Sequence, residues 1–213
     1  MVSSRRTLKN RVHAVLARNH IENKEFGRLS DKFGKRGMSY MRGFKLKGND
    51  TQILNDNLDL IEEFSRKIKE AEKRIAEVFK EDEICRLLQT IPGIGKILSV
   101  TIRYEINNIE RFINSKKLGS YSGLVPSTYS TGGKTFQGRI TKQGNKWLRC
   151  AFVEAAQSAI KYDPWLGSVY NRISAKRGKK RARIAVTRKI LEIVYRVWKE
   201  KSPYYENPVA VAL

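Results

Sequence analysis

The chain has only two cysteines, Cys85 and Cys150, and two histidines, His13 and His20, among its 213 residues. The cysteines lie far apart and at no metal-ligand spacing. That excludes a disulfide scaffold and a structural Cys/His zinc site, and it fits a reducing, intracellular compartment. No run approaches the ~18 consecutive apolar residues of a membrane helix, which excludes an integral membrane protein. Met1–Asn10 is basic but lacks the apolar stretch of a secretory signal. There is no Walker-type phosphate loop. The histidines have no carboxylate partner at motif spacing, read as ordinary helix-surface residues, and support no acyl-transfer triad. Acids are also scarce, and they cluster in 50–83 on a segment whose apolar pattern already explains it. Glu81-Asp82-Glu83 is consecutive, so its carboxylates diverge on a helix. It reads as an acidic helix cap and not as a metal site.

What is abundant is positive charge: 43 Lys and Arg against 21 Asp and Glu, a formal +22. Residues 1–48 hold 13 bases and 3 acids, net +10, and residues 131–201 hold 18 and 4, net +14. Residues 49–83 are net −5 and residues 84–130 net +4. A soluble surface needs only mixed charge, so an excess of this size points to a polyanion gripped at both ends of the chain.

Leu8, Val12, Val15 and Leu16 recur at helical spacing and predict a basic amphipathic helix from Arg5 to Asn19. Residues 33–49, interrupted by Gly34, Gly37, Gly43 and Gly48, read as a basic loop or broken helix. Residues 51–80 carry the clearest helical pattern. Leu54, Ile61, Ile68 and Ile75 repeat every seven residues, with Leu58, Phe64, Ala71 and Val78 beside them, which predicts a coiled coil or long helical hairpin. The stripe serves either its own domain or self-association into a homo-oligomer through 54–78. Glu62–Arg66 and Glu70–Arg74 are spaced as i,i+4 pairs.

Residues 84–106 read as helix, turn, helix. Pro92 stops the first helix, and Gly93 and Gly95 permit a tight turn before Lys96. This is a helix-hairpin-helix pattern. Its glycines would admit a phosphate to backbone N–H groups at a helix start, with Lys96 adding a charge; such a unit grips backbone and reads no sequence. Packing alone is the plainer reading of the same residues.

Residues 119–146 are glycine-rich, with Lys134–Thr141 as the one possible strand or hairpin. Tyr121, Leu124, Tyr129, Phe136 and Ile140 interleave there and argue for order. Ser130 and Thr131 stand beside Gly132-Gly133-Lys134, with Arg139, Lys142 and Arg149 downstream. A hydroxyl that attacks a phosphodiester needs such cations, although hydroxyls beside glycines are mostly turns. From Asn145 to Ala159 a helix is predicted, with Trp147, Leu148, Ala151, Phe152, Ala155 and Ala156 on one face and Cys150 as a small core residue. Leu166–Ile173 is a short helix. The densest basic run, Lys176–Arg183, leads into a last helix, and the tail 202–213 reads as loose.

Six segments, taken together, resemble a known family: Leu88–Gly95, Arg111-Phe112, Tyr121–Ser127, Ser130–Lys134, Gly138–Arg149 and Ala182–Leu191. In order and spacing they are similar to the C-terminal domain of the DEDD-type insertion-sequence transposases. Leu8–Arg18 resembles the helix that follows the nuclease domain in that family. The resemblance implies a DNA recombinase with a serine nucleophile just before a glycine. Aligned on Gly132, Thr131 takes that column and Ser130 stands one earlier, so either hydroxyl is the candidate. It also implies an N-terminal RuvC-like domain that holds Mg²⁺ on an acidic tetrad. That domain would lie before residue 1, so no cofactor is expected in this chain, and the chain is expected to be a truncated member or fragment.

The fold expected is mainly α: a helical, coiled-coil arm (1–83), then a helical domain (84–201) with a helix-hairpin-helix and a Gly-rich loop holding at most a small β-hairpin. The expected function is a DNA-binding transposase acting in DNA transposition by recombination, cytoplasmic and nucleoid-associated in a prokaryote. Its expected partners are DNA and an element-encoded guide RNA. The DNA-contact candidates are Gly93, Gly95, Lys96, Lys134, Arg139, Lys142, Lys146, Arg149, Lys179, Lys180, Arg181 and Arg183. A non-catalytic helix-hairpin-helix nucleic-acid-binding protein is the alternative. A ribosome-associated basic protein fits the charge but not the heptad helix.

Overall fold

The computed structural model describes residues 1–21, 24–131 and 134–204. They form two compact units, Met1–Arg74 and a second that starts at Ile75. The expected mainly α fold with a small hairpin is what the structure shows. No described helix is long and apolar enough to cross a membrane.

The first unit is built from α1 (Val2–Arg18), α2 (Lys24–Gly27), α3 (Lys35–Arg42) and the first part of α4 (Asp50–Glu81). Leu8, Val12, Val15 and Leu16 of α1 meet Phe26, Met38, Met41 and the α4 residues Leu54, Leu58 and Ile61 in one core. The heptad stripe is therefore occupied inside its own unit at its start. Farther along, Phe64, Ala71, Ile75 and Val78 are half-buried. Residues 33–49, which read as a loop or broken helix, hold the eight-residue α3. A Cβ at Gly37 would lie 2.0 Å from the Lys32 carbonyl oxygen, so the glycine there serves packing and does not break the helix. Asp50 joins the two long helices by accepting from Arg18 Nε at 2.7 Å and from Asn19 Nδ2 at 2.5 Å.

The ion pairs on α4 differ from those the spacing suggested. Arg66 bonds Glu70 and Lys67 bonds Glu63, while Glu62 is taken by Arg42 of α3. A partner on another helix competes with the i+4 neighbour, and intrahelical spacing cannot foresee it.

The second unit contains α5 (Glu83–Gln89), α6 (Lys96–Ile106), a 3-10 turn at Ile109–Arg111, α7 (Ser115–Tyr121), strands β1 (Pro126–Thr131) and β2 (Lys134–Ile140), α8 (Lys146–Tyr162), α9 (Pro164–Arg177) and α10 (Lys179–Glu200). Asp82 caps α5 by accepting from the Cys85 N–H at 3.0 Å and also binds Arg103 Nε at 2.9 Å, so the acidic cluster acts as a helix cap. Asn114, Asn145 and Asp163 cap α7, α8 and α9 in the same way. Such caps are worth roughly 1 kcal/mol each. Asp163-Pro164 is a strong start signal, since proline at the first helical position loses no hydrogen bond. It opens a helix longer than the Leu166–Ile173 expected.

Helix α10 runs through the core, packing on α8, α9, α7 and α5. Val186, Ile190, Val194 and Val197 of α10 join Leu148, Phe152 and Leu166 there. Tyr195 Oη donates across the core to the carbonyls of Phe112 and Ile113. Of the tail expected to be loose, residues 205–213 lie outside the described residues. Tyr204 is buried, with its hydroxyl 2.9 Å from Asp163 Oδ2 and its N–H on Thr90 Oγ1.

Candidate nucleic-acid interface

The glycine-rich segment is an antiparallel ribbon on a braced base. Thr128, Tyr129, Ser130 and Thr131 pair with Gln137, Phe136, Thr135 and Lys134. The register is irregular between Pro126 and Thr128, where Ser127 Oγ donates to the Arg139 carbonyl at 3.1 Å. At the base, the N–H groups of Thr141, Lys142 and Asn145 reach the carbonyls of Val125, Gly123 and Tyr121 at 2.9, 3.1 and 2.8 Å. Two glycines allow this close crossing. Gly123 (φ +67°) and Gly144 (φ +114°) would place a Cβ 2.3 Å from the Gln143 and Tyr121 carbonyl oxygens, respectively. Arg149 of α8 closes the base by donating to the Ser122 carbonyl at 3.1 Å.

Ser130 and Thr131 sit at the end of β1 and not in a loop. Both are exposed. Successive residues of a strand face opposite sides, so the two hydroxyl positions are on opposite faces of the ribbon, and Thr131 shares its face with Tyr129. Gly132, which sets the nucleophile column, and Gly133 lie outside the described residues.

Beside the ribbon base an open groove of about 590 Å³ is lined by Ile140, Lys142, Arg149, Cys150, Val153 and Glu154, among others. It brings together two of the expected contact residues, Lys142 and Arg149. Arg139 on β2 and Lys146 at the start of α8 are exposed near either end of the same stretch of chain. Lys134 opens β2 opposite Thr131.

Two residues placed in the core by pattern are exposed. Trp147 is 65% exposed, with the Lys146 ammonium 5.6 Å from its ring, and Cys150 lines the groove. The polar face of α8 carries Lys146, Cys150, Glu154 and Gln157 at i, i+4, i+8 and i+11 spacing. That spacing is the signal that places Cys150 outside, against the apolar character of cysteine, which favours the core. Cys85, by contrast, is buried, and burial pushes its thiol up to about 11.

The turn between α5 and α6 is confirmed as a turn, but its two glycines differ in role. Gly93 has φ +87°, and a Cβ there would lie 2.2 Å from the Ala155 carbonyl oxygen on α8. It serves packing of the turn against the small residues Ala155 and Ala159. Gly95 is exposed with open space around it, and it precedes the exposed Lys96 at the start of α6. Lys179, Lys180, Arg181 and Arg183 are exposed on the first turns of α10, after Gly178 (φ +81°).

Electrostatics bind these features together. From Arg111 to Val153 the chain holds eight Lys and Arg and no Asp or Glu. Helices α1, α3, α6, α8 and α10 carry no acid in the first turn, and α3, α6, α8 and α10 begin on lysine. A cation at the positive end of a helix dipole is unfavourable by a few tenths to ~1 kcal/mol. Repeating that arrangement costs stability unless an anion answers it.

Residues 85–171, which span the turn, the ribbon and α8, match the model of the Transposase IS116/IS110/IS902 family. The chain is 28% identical over 145 residues to a protein named transposase for insertion sequence element IS1111A from Coxiella burnetii, covering 64% of this chain and 39% of that protein. It is 37% identical over 90 residues to the transposase for IS1328 from Yersinia enterocolitica, covering 42% and 27%. A pilin gene-inverting protein from Moraxella bovis is 35% identical over 121 residues, covering 55% and 38%. Over these stretches the chain is similar to insertion-sequence transposases. The chain spans about two fifths or less of the length of these relatives. Within the transposase-like stretch, the ribbon lies in the acid-free segment, and its groove extends from that segment to Glu154 just beyond it. No group of three or more His, Cys, Asp or Glu that could hold a metal ion occurs among the described residues.

Proposed function

We propose that this chain is the DNA-gripping, strand-transfer portion of an insertion-sequence transposase. The observation that carries this reading is the acid-free segment 111–153, which lies inside the transposase-like stretch 85–171 and holds Arg139, Lys142 and Lys146 exposed in and after the ribbon. Duplex DNA is the polyanion that such a surface suits. Gly95, Lys96 and the cations of α10 add contacts to backbone phosphates and carry no sequence preference.

In this reading, Ser130 or Thr131 supplies a hydroxyl. Its oxygen attacks phosphorus and gives up its proton, and one ester oxygen of the DNA leaves as an alcohol. The phosphoryl group then remains on the protein as a phosphodiester. Arg139 and Lys142 offset the charge that develops on the non-bridging oxygens, and Arg149 holds the ribbon base in place. The Mg²⁺ expected of the family does not fit the described residues, whose acids form no metal-holding group.

The test is a binding titration of the chain against duplex DNA at several salt concentrations. Affinity falling steeply between about 50 and 200 mM salt is expected from counterion release; binding that ignores salt rejects phosphate-dominated contact. A covalent-adduct assay on the recombination-competent protein then compares Ser130→Ala with Thr131→Ala. Loss with one variant alone identifies the nucleophile, and an adduct that survives both together removes the ribbon from the chemistry.

A further inference from the structure

The DNA-binding reading accounts for the cations of the ribbon but not for its rings. Tyr129 and Phe136 are 61% and 43% exposed. They face each other across the two strands with centroids 5.4 Å apart and planes 20° from parallel. Apart from Pro126, β1 is exposed along its length, so these rings stand on a polar, solvated ribbon. A cross-strand aromatic pair stabilises a hairpin modestly and does so best when covered. Leaving two ring faces in water on a protein that must meet DNA suggests a contact of their own.

We propose that the Tyr129–Phe136 pair is a stacking platform for unpaired bases of the DNA that the chain binds. In intact duplex the bases are stacked on one another, and a planar ring on a ribbon has no base face to meet. An unpaired base exposes its π-face, and aromatic side chains beside a positively charged track form the arrangement that holds single strands. Here Arg139 and Lys142 are exposed just beyond Phe136, and the ribbon strands themselves carry no carboxylate; Glu105 and Glu154 stand at the ribbon base, away from the ring pair in sequence. The cations would seat the phosphates while the rings take the bases. Strand alternation puts Thr131 on the same face as Tyr129, so a base held there brings its adjoining phosphate towards that hydroxyl position. The inference rests on the DNA-binding reading and adds that the ribbon engages locally opened DNA.

The test compares the chain with its Tyr129→Val/Phe136→Val variant. Valine keeps strand propensity and removes the π-faces, so the ribbon stays paired. A fluorescent duplex and the same duplex with a central unpaired tract are titrated at one salt concentration. The wild-type chain is expected to prefer the unpaired tract, and the double variant to lose on the order of tenfold or more on it while holding the intact duplex within about twofold. Tyr129→Phe keeps the wild-type preference. Fluorescence of 2-aminopurine in the unpaired tract is expected to be quenched by the wild-type chain and not by the double variant. Equal loss on both DNAs, no wild-type preference, or failure of Tyr129→Phe like the valine variant overturns the platform while leaving duplex binding intact as a reading. Ring-dependent binding that is tighter to unpaired RNA of the same sequence overturns DNA as its occupant. A wild-type chain that binds neither DNA rejects the DNA-binding reading itself.

Discussion

Gly93 and Gly95 look alike in sequence, yet only one has a neighbour. At Gly93 a side chain would meet the α8 backbone, and φ is positive; at Gly95 φ is −87° and the space is open. Gly93→Ala is expected to destabilise the second unit by about 1–3 kcal/mol, while Gly95→Ala stays within about 1 kcal/mol. Denaturant unfolding of the two variants checks this, and Gly95→Val then tests phosphate contact without a folding defect. Cys85 offers a pH test. Its thiol is pushed up to about 11 from an ordinary 9.0, chiefly by burial, with Asp82 second. A raised folded-state value means that this contribution to stability is intact below pH 9 and declines as pH climbs towards 11, because the unfolded chain ionises first. Unfolding midpoints measured from pH 8 to 11 should fall less steeply in Cys85→Ala, and Cys150 should react first with a thiol reagent in the folded protein.

At the level of elements, α4 and α10 each depart from what their patterns alone suggest. The stripe of α4 has the period of an intermolecular seam, but Ile61, 2% exposed, belongs to the buried core of its own unit. Ile61→Lys is therefore expected to unfold the first unit and not to release a folded monomer. Loss of helical circular dichroism alongside sedimentation distinguishes the outcomes, and Leu58→Ala should cost about 2–5 kcal/mol. Helix α10 opens with Lys179, Lys180 and Arg181 at its positive end. Replacing Lys179 and Lys180 by Glu should raise stability by a few tenths to ~1 kcal/mol per residue, and at the same time weaken DNA binding. Opposite signs in thermal melting and DNA titration are the expected signature; a loss in both would make these lysines structural.

Over the whole molecule, the formal +22 opposes compaction as well as serving a polyanion. Salt screens that self-repulsion, so the melting midpoint of the free chain should rise with moderate salt over the range in which DNA affinity falls. Calorimetry at matched salt concentrations follows the first trend, and the binding titration the second. A melting midpoint that drops with salt would mean that attractive ion pairs such as Arg103–Asp82 outweigh the repulsion.

The sequence by itself determined the mainly helical class, the long helix near 51–80, the turn at 90–95, the acidic cap at Asp82 and the strand in Lys134–Thr141. These are local matters: period, capping chemistry and proline or glycine placement act within a few residues. It also determined the charge asymmetry, which needs no fold. Only the tertiary structure decided that Gly93 answers the α8 backbone, that Glu62 pairs with Arg42, that Trp147 and Cys150 face solvent, and that Ser130 and Thr131 end a strand whose two faces separate them. Each depends on which distant segment arrives opposite a residue, and the chain's local pattern is the same whichever segment arrives.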